Sequence, residues 1–304
     1  MPEPRSYPKI SVVIPTYQCE EYVGQALESV LTQRYPEGLV EIIVVDDGST
    51  DNTRAVLQPN LGRIRYIYQS NRGEAAARNA GVNAASCNFI AFLDADDYWL
   101  PDRLRLMAEA LDGRTDRLVV TDYFTSIAGR IGDIPEYQRR GLRRLFELEP
   151  AEQLKAAVED NFISWPLLPR DVFDELGLFD ESLHYGTDWD MWLRCLAANR
   201  RVELVPQGCV IYRLYRPGSS TARNDYSKAS DRVRVLARYR KHASKRRWMR
   251  ALGAMHHVGF RESLAAGAYG AALGHVVPLF TNPVYLPEYL FRKVVRPKEL
   301  IKNR

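Results

Sequence analysis

The 304-residue chain has little sulfur: its four cysteines, Cys19, Cys87, Cys195 and Cys209, lie far apart with no CxxC pair. That spacing argues against a zinc site or a disulfide framework and fits a reducing cytosol. Long hydrophobic runs are also lacking. The longest weakly polar stretch, Leu264 to Phe280, is rich in Ala and Gly and is interrupted by His275 and Pro278, so it does not read as a transmembrane helix. The opening MPEPRSYPK has no apolar core behind its charges and does not read as a signal peptide. Charge of one sign is scarce as well: 42 basic residues against 38 acidic ones give +4, too mild to point to nucleic acid. There is no GxGxxG and no GxxxxGKS, so neither a dinucleotide fold nor a P-loop is signalled.

What is present is an alternation of strand and helix signals over residues 1–125. Lys9 to Ile14 is a β-branched run stopped by Pro15. Tyr22, Val23, Ala26, Leu27, Val30 and Leu31 recur at helical spacing. Val40 to Val45, Arg63 to Tyr68 and Phe89 to Leu93 read as further strands, with Leu118 to Thr121 as a fifth. Ser49 to Leu57, opening with Ser49, Thr50 and Asp51, and Gly73 to Ala85 read as helices between them. The pattern predicts an α/β fold with a Rossmann-like, mainly parallel sheet flanked by helices, whose ligands bind at the carboxyl ends of the strands. Residues 126–185 are mixed; Thr187 to Ala198 reads as a helix and Val202 to Leu214 as one or two strands. A helical, basic C-terminal extension follows, and the boundary is placed near residue 222: 1–222 (halves 1–125 and 126–222), then 223–304.

Four strand ends carry polar groups: Pro15-Thr16-Tyr17, Asp46-Asp47-Gly48-Ser49, Asn71-Arg72-Gly73 with Arg78-Asn79, and Asp94-Ala95-Asp96-Asp97. Three carboxylates within four positions repel unless a cation or a proton intervenes. Asp oxygens without His or thiolate companions favour a hard divalent ion, Mg2+ or Mn2+, of the kind that bridges to phosphate. The plainer alternative is a solvated turn capping a helix near Pro101. Asp46 is assigned to bracing its own turn, Asn79 to the backbone of its own helix, and Trp189 and Trp192 to the core, with Trp165 clustered near them.

The ordered motifs ISVVIPTY, EIIVVDDGSTD, NRGEAAARNAG and FIAFLDADDYWLPDRL, followed by LPRDVFDELGLFDESLHYGTDWDMWLR and YRLYRPGSS, resemble family 2 glycosyltransferases over roughly residues 8–222. The resemblance implies the GT-A fold and an inverting, metal-dependent transfer of sugar from a UDP-sugar or dTDP-sugar. Pro15, Thr16, Tyr17 and Asp47 would then contact the nucleoside, with Asp47 accepting the imide N–H of uracil. Arg78 would balance nucleotide charge. Asp94 and Asp96 form the DxD, Asp94 near sugar hydroxyls and Asp96 at the metal, with Asp97 as another metal ligand. Asp188 is the expected general base. Family members often have an acid where this chain has Thr187, and a His where it has Tyr215. Arg213 and Arg216 could clamp diphosphate instead. Asp190 is assigned to capping the helix.

The absence of QxxRW argues for single additions, to a glycan or lipid-linked acceptor in cell-envelope polysaccharide assembly. Two other readings stand beside it: a nucleotidyltransferase, and a nucleotide-sugar-binding protein without turnover. The stretch Arg232 to Arg250 reads as a basic helix near apolar Val235 and Leu236. It would meet the inner face of the plasma membrane, pack on its own domain, or face a second copy in a homodimer.

Overall fold

A computed structural model describes residues 7–214 and 225–289. The chain forms two compact units: Met1–Leu183 with Thr187–Arg216, and His184–Gly186 with Pro217–Arg304. The expected boundary at 222, Tyr215 and Arg216 lie outside the described residues.

The first unit opens with β1 (Ile10–Thr16), α1 (Val23–Leu31), β2 (Val40–Asp46), α2 (Thr53–Leu57), β3 (Arg65–Tyr68), α3 (Glu74–Ala84), β4 (Phe89–Phe92), β5 (Tyr98–Trp99) and α4 (Arg103–Leu111). It continues with β6 (Arg117–Ile127), β7 (Arg130–Ile131), α5 (Glu136–Arg139), α6 (Pro150–Glu159), β8 (Leu167–Pro169), α7 (Asp171–Leu176), α8 (Thr187–Ala197) and β9 (Arg201–Leu214). The sheet order is β3-β2-β1-β4-β8-β6-β9-β5, with β7 on β6. The long ladders, β1 with β2 and β6 with β9, are parallel, while the antiparallel ones, such as β4 with β8, are short.

The sheet is covered on both faces, which is why its strands carry unbroken apolar runs. Ile10, Val12 and Ile14 pack with Val23 and Leu27 of α1 and with Leu104 and Met107 of α4. Val13 faces the other way, toward α3. There Gly81 lets helix and strand approach: a Cβ at that position would lie 2.3 Å from Val13 Cγ1. Each fully buried Val, Ile or Leu contributes about 1.5–3 kcal/mol, so these two faces account for much of the driving force.

Two expectations are corrected in this unit. Ser49, Thr50 and Asp51 do not begin a helix, and α2 is only Thr53–Leu57. The Ser49 hydroxyl accepts from the Gln18 backbone N–H, and the Gln18 side-chain oxygen accepts from the N–H groups of Thr50 and Asp51. Ser49 and Thr50 thus tie two loops together, while Asp51 Oδ1 accepts from Thr53 N–H at 3.0 Å at the start of α2. Asn79 does not serve its own helix: its amide clamps Phe179 N–H and carbonyl and reaches Glu181. It thereby anchors the approach to α8. The mixed stretch 126–185 resolves into the last residues of β6, then β7, α5, α6, β8 and α7, most of them too short to carry a periodic signal. Trp189 and Trp192 are core residues as expected.

The second unit contains α9 (Tyr226–Arg238), α10 (Lys245–Ala265) and α11 (Tyr269–Phe280). Asp225 caps α9 through Lys228 N–H at 2.9 Å, and Ser244 caps α10 through Arg247 N–H at 3.0 Å. The basic stretch 232–250 is therefore not one helix but the end of α9, a break, and the start of α10. Val235 and Leu236 are buried. Arg234 pairs with Asp231, and Arg246 and Arg250 pair with Glu288.

Candidate active site

The carboxyl ends of β1 and β2 are joined by the Asp47 N–H donating to Thr16 O at 2.9 Å. Asp46 braces its turn, as expected: it accepts from Ser49 N–H at 2.8 Å and from the Tyr66 hydroxyl at 2.6 Å. Asp47 is buried and organises the neighbouring strand end. Its Oδ1 accepts from Gln69 Nε2 at 2.7 Å and Arg72 N–H at 2.9 Å, and its Oδ2 accepts from Gly73 N–H at 2.8 Å. Gly73 is the N-cap of α3, so one carboxylate fixes the loop that launches the helix carrying Arg78. Pro15 and Thr16 close β1. The Thr16 hydroxyl is buried with no hydrogen-bond partner among the described residues, and the Tyr17 ring is half exposed.

Arg78 is the hub. Its guanidinium is almost fully buried and meets Asp94 at 2.9 Å, Glu74 one helical turn earlier at 2.5 Å, and the Thr187 hydroxyl at 3.3 Å. Burial opposes its charge, but Glu74, Asp94 and Asp188 together hold its pKa above the ordinary value. Asp188 responds to the same neighbours. Burial pushes its pKa up, Arg78 and the Trp189 N–H pull it down, Asp94 repels it, and the net direction is upward. Asp96 adds to the field felt by Glu74. Three carboxylates, Glu74, Asp94 and Asp188, thus act on one arginine.

Asp94 is also fixed from the other side. Trp165 Nε1 donates to its Oδ2 at 3.1 Å. Trp165 has φ of 49°, a left-handed conformation unfavourable for a bulky residue. Its carbonyl is held there by Nη2 of Arg103, which is wholly buried and lies over the Trp99 ring at 4.4 Å. Burial lowers the Arg103 pKa to about 9. Trp165 therefore stands apart from Trp189 and Trp192, against the DxD.

The turn after Asp94 is held from below. Asp97 is not a solvated cap. It is buried, its Oδ1 accepts from Arg213 N–H at 2.9 Å, and its Oδ2 has no hydrogen-bond partner among the described residues. Burial first, then repulsion from Asp96 and Asp94, pushes its pKa well up. The Arg213 guanidinium donates to the Asp96 carbonyl at 2.5 Å and to Gln25, and stacks over Tyr98 and Tyr22. It supports the loop from the protein side.

At α8, Asp190 is buried and accepts from Arg194 Nε at 3.1 Å. Arg194 in turn donates to the carbonyls of Leu176, Gly177 and Leu178. Asp190 thus serves the packing of the α7–α8 connection. Sequence reasoning missed Glu74, although its i, i+4 spacing to Arg78 was available. It also missed the placement of Trp165 and the buried Arg103, for which no local signal exists.

Among the described residues no three His, Cys, Asp or Glu side chains gather to hold a metal ion alone. Nucleotide-bound Mg2+ commonly takes only one or two protein carboxylates and completes its shell with phosphate and water. An all-oxygen cluster with more carboxylates than cations fits such a shared ion and does not fit a closed protein cage.

The family model described as "Glycosyl transferase family 2" matches residues 11–177, and the chain belongs to that family. Its relatives include the "Uncharacterized glycosyltransferase EpsJ" of Bacillus subtilis, 30% identical over 213 residues, covering 68% of this chain and 61% of the relative. The "Succinoglycan biosynthesis protein ExoO" of Rhizobium meliloti is 34% identical over 230 residues, covering 70% and 62%. The matched segment is thus under two thirds of the length of these relatives. The crystal structure of S. aureus TarS 1-349 in complex with UDP-GlcNAc shares the fold, with a TM-score of 0.61 at 18% identity over 88% of this chain and 89% of that one. The mostly parallel sheet flanked by helices is therefore of the GT-A type.

Proposed function

We propose that the chain is an inverting transferase that moves a sugar from a UDP-sugar to a hydroxyl of a glycan or lipid-linked acceptor in cell-surface polysaccharide assembly. The carrying observation is that Arg78 joins Asp94 of the DxD to the start of α8, beside Asp188. This supports a proton acceptor next to the donor sugar. The names of the relatives, one in succinoglycan biosynthesis, and a TarS structure holding UDP-GlcNAc support the substrate class.

Pro15, Thr16, Tyr17 and Asp47 take the nucleoside. The exposed Tyr17 ring offers a stacking face, the unpartnered Thr16 hydroxyl a hydrogen bond. Asp47 Oδ2 accepts a single bond from the fold and retains a lone pair for the uracil imide N–H. Asp94, held by Arg78 and Trp165, orients donor sugar hydroxyls. The acceptor oxygen attacks the anomeric carbon as the bond to the diphosphate breaks, the bonding pair leaves with the diphosphate, and the acceptor proton passes to Asp188. A Mg2+ or Mn2+ held by Asp96 and the diphosphate would supply positive charge to the leaving group. Asp97, turned inward onto Arg213, acts as support for that loop. The four cysteines are free and buried, which fits a cytoplasmic site of reaction.

Calorimetry of UDP binding with Mn2+ and with EDTA tests the donor side. The expected outcome is binding that needs the ion and is lost in Asp96→Ala. Equal affinity with and without the ion, in both proteins, removes the metal from the reading. UDP release only when an acceptor glycan is added separates transfer from binding without turnover.

A further inference from the structure

We propose that α11 is a lipid-docking face, seating the protein on an anionic membrane surface through Tyr269, Leu273, Val277 and Phe280. These four large apolar side chains are 69%, 69%, 66% and 67% exposed. Their spacing of four, four and three residues places them on one face of the helix. An adjoining face, Ala272 and Leu279, is buried, so the exposed stripe is an apolar surface beyond the one that packs. Exposed apolar stripes of this kind mark interaction sites.

Charge identifies the occupant. From Ser263 to Pro287 the sequence contains no Asp, Glu, Lys or Arg. Beyond it, residues 288–304 hold six basic side chains and two acidic ones. An anionic surface attracts a segment of that composition. Area points the same way. A helix of 12 residues is about 18 Å long and one stripe about 10 Å wide, or roughly 200 Å2, far below the ~800 Å2 per partner of a stable dimer. Reversible membrane contact needs only a buried apolar face plus electrostatic attraction. No helix among the described residues is long and apolar enough to cross a membrane, so the fitting geometry lies in the interface plane. This also relocates the membrane contact expected for residues 232–250, whose Val235 and Leu236 are already buried. The inference is independent of the transferase reading.

The test uses the full chain without nucleotide, sedimented with vesicles of equimolar phosphatidylglycerol and phosphatidylcholine or of phosphatidylcholine alone, at low salt. Wild type is expected to bind the anionic vesicles. The double variant Leu273→Asp/Val277→Asp is expected to lose at least about tenfold in partitioning, with its thermal unfolding midpoint unchanged because both positions are exposed. A Phe280→Trp variant should show a blue-shifted emission when anionic vesicles are added, since the ring leaves water. Absence of wild-type binding, or equal binding by the double variant, overturns the proposal. A wild-type dimer that the double variant dissolves, with no vesicle binding, overturns it in favour of a second copy.

Discussion

The strand-end edge of the first unit keeps ionised groups away from water, and α11 of the second keeps apolar groups in water. Both run against the usual sorting of residues, but they are sustained differently. At the edge, buried charges are answered locally: Arg78 meets Asp94 and Glu74, Asp94 also accepts from Trp165, and Asp47 accepts from the N–H groups of Arg72 and Gly73. On α11 nothing polar is required, because the helix satisfies its own backbone and its exposed residues carry no charge. Buried ions demand a fixed network, so a catalytic edge is rigid and specific. An apolar stripe demands only a nonpolar contact, and it tolerates any register against it.

The largest expected effect sharpens the first side of that comparison. Asp188→Asn keeps the shape of the edge but cannot accept a proton. Transfer should fall by about 10²-fold or more with donor affinity near normal, measured by UDP release and calorimetry on the same preparation. Retention of most turnover would move the base to another carboxylate.

Arg78→Met should rank next. Removing the buried cation leaves Asp94, Glu74 and Asp188 facing one another. The expected destabilisation is about 2 kcal/mol, below the usual range for a broken buried pair because Asp94 and Glu74 remain partly solvated. Urea unfolding measures it. The pH profile of residual transfer adds an independent readout. A base works only when deprotonated, so activity is lost as pH falls through the folded pKa of Asp188, which burial has already raised. Loss of the Arg78 charge should move that acidic limb to still higher pH. A limb unchanged by the substitution would break the coupling between Arg78 and Asp188.

The smallest effect concerns Asp97. Its pKa is pushed well up, so the folded state binds this proton more tightly than the unfolded chain does. The contribution is fully present below the unfolded value of about 3.9 and is lost as pH rises through the folded pKa. Asp97→Asn mimics the neutral form, and its stability at neutral pH should lie within about 1 kcal/mol of wild type. Denaturant melts across pH should show wild type losing stability relative to the variant as pH rises. The opposite slope would mean that Asp97 is ionised in the fold.

Much of this was legible in the residues. Strands at Ile10, Val40 and Phe89 announce themselves by continuous β-branched and aromatic runs, and their polar ends by abrupt changes of residue type. The weaker readings failed where one residue had two available partners. Ser49 suits a helix cap, but Gln18 from another loop reached the following backbone N–H groups first. The stretch 232–250 looked like one amphipathic helix, but Ser244 starts a second one.

The sequence by itself determined the α/β alternation, the carboxylate-rich strand ends and the membership of family 2, because each is written in local order and spacing. Only the tertiary structure decided that Arg78, Asp94, Trp165 and Thr187 meet, that Asp97 turns inward, and that α11 rather than Val235 and Leu236 faces outward. Those outcomes depend on sheet order and on which partner reaches a group first. Segments 16 to 109 residues apart in the chain are brought within hydrogen-bonding distance at Arg78 alone, and local spacing cannot encode a distance that the sheet sets.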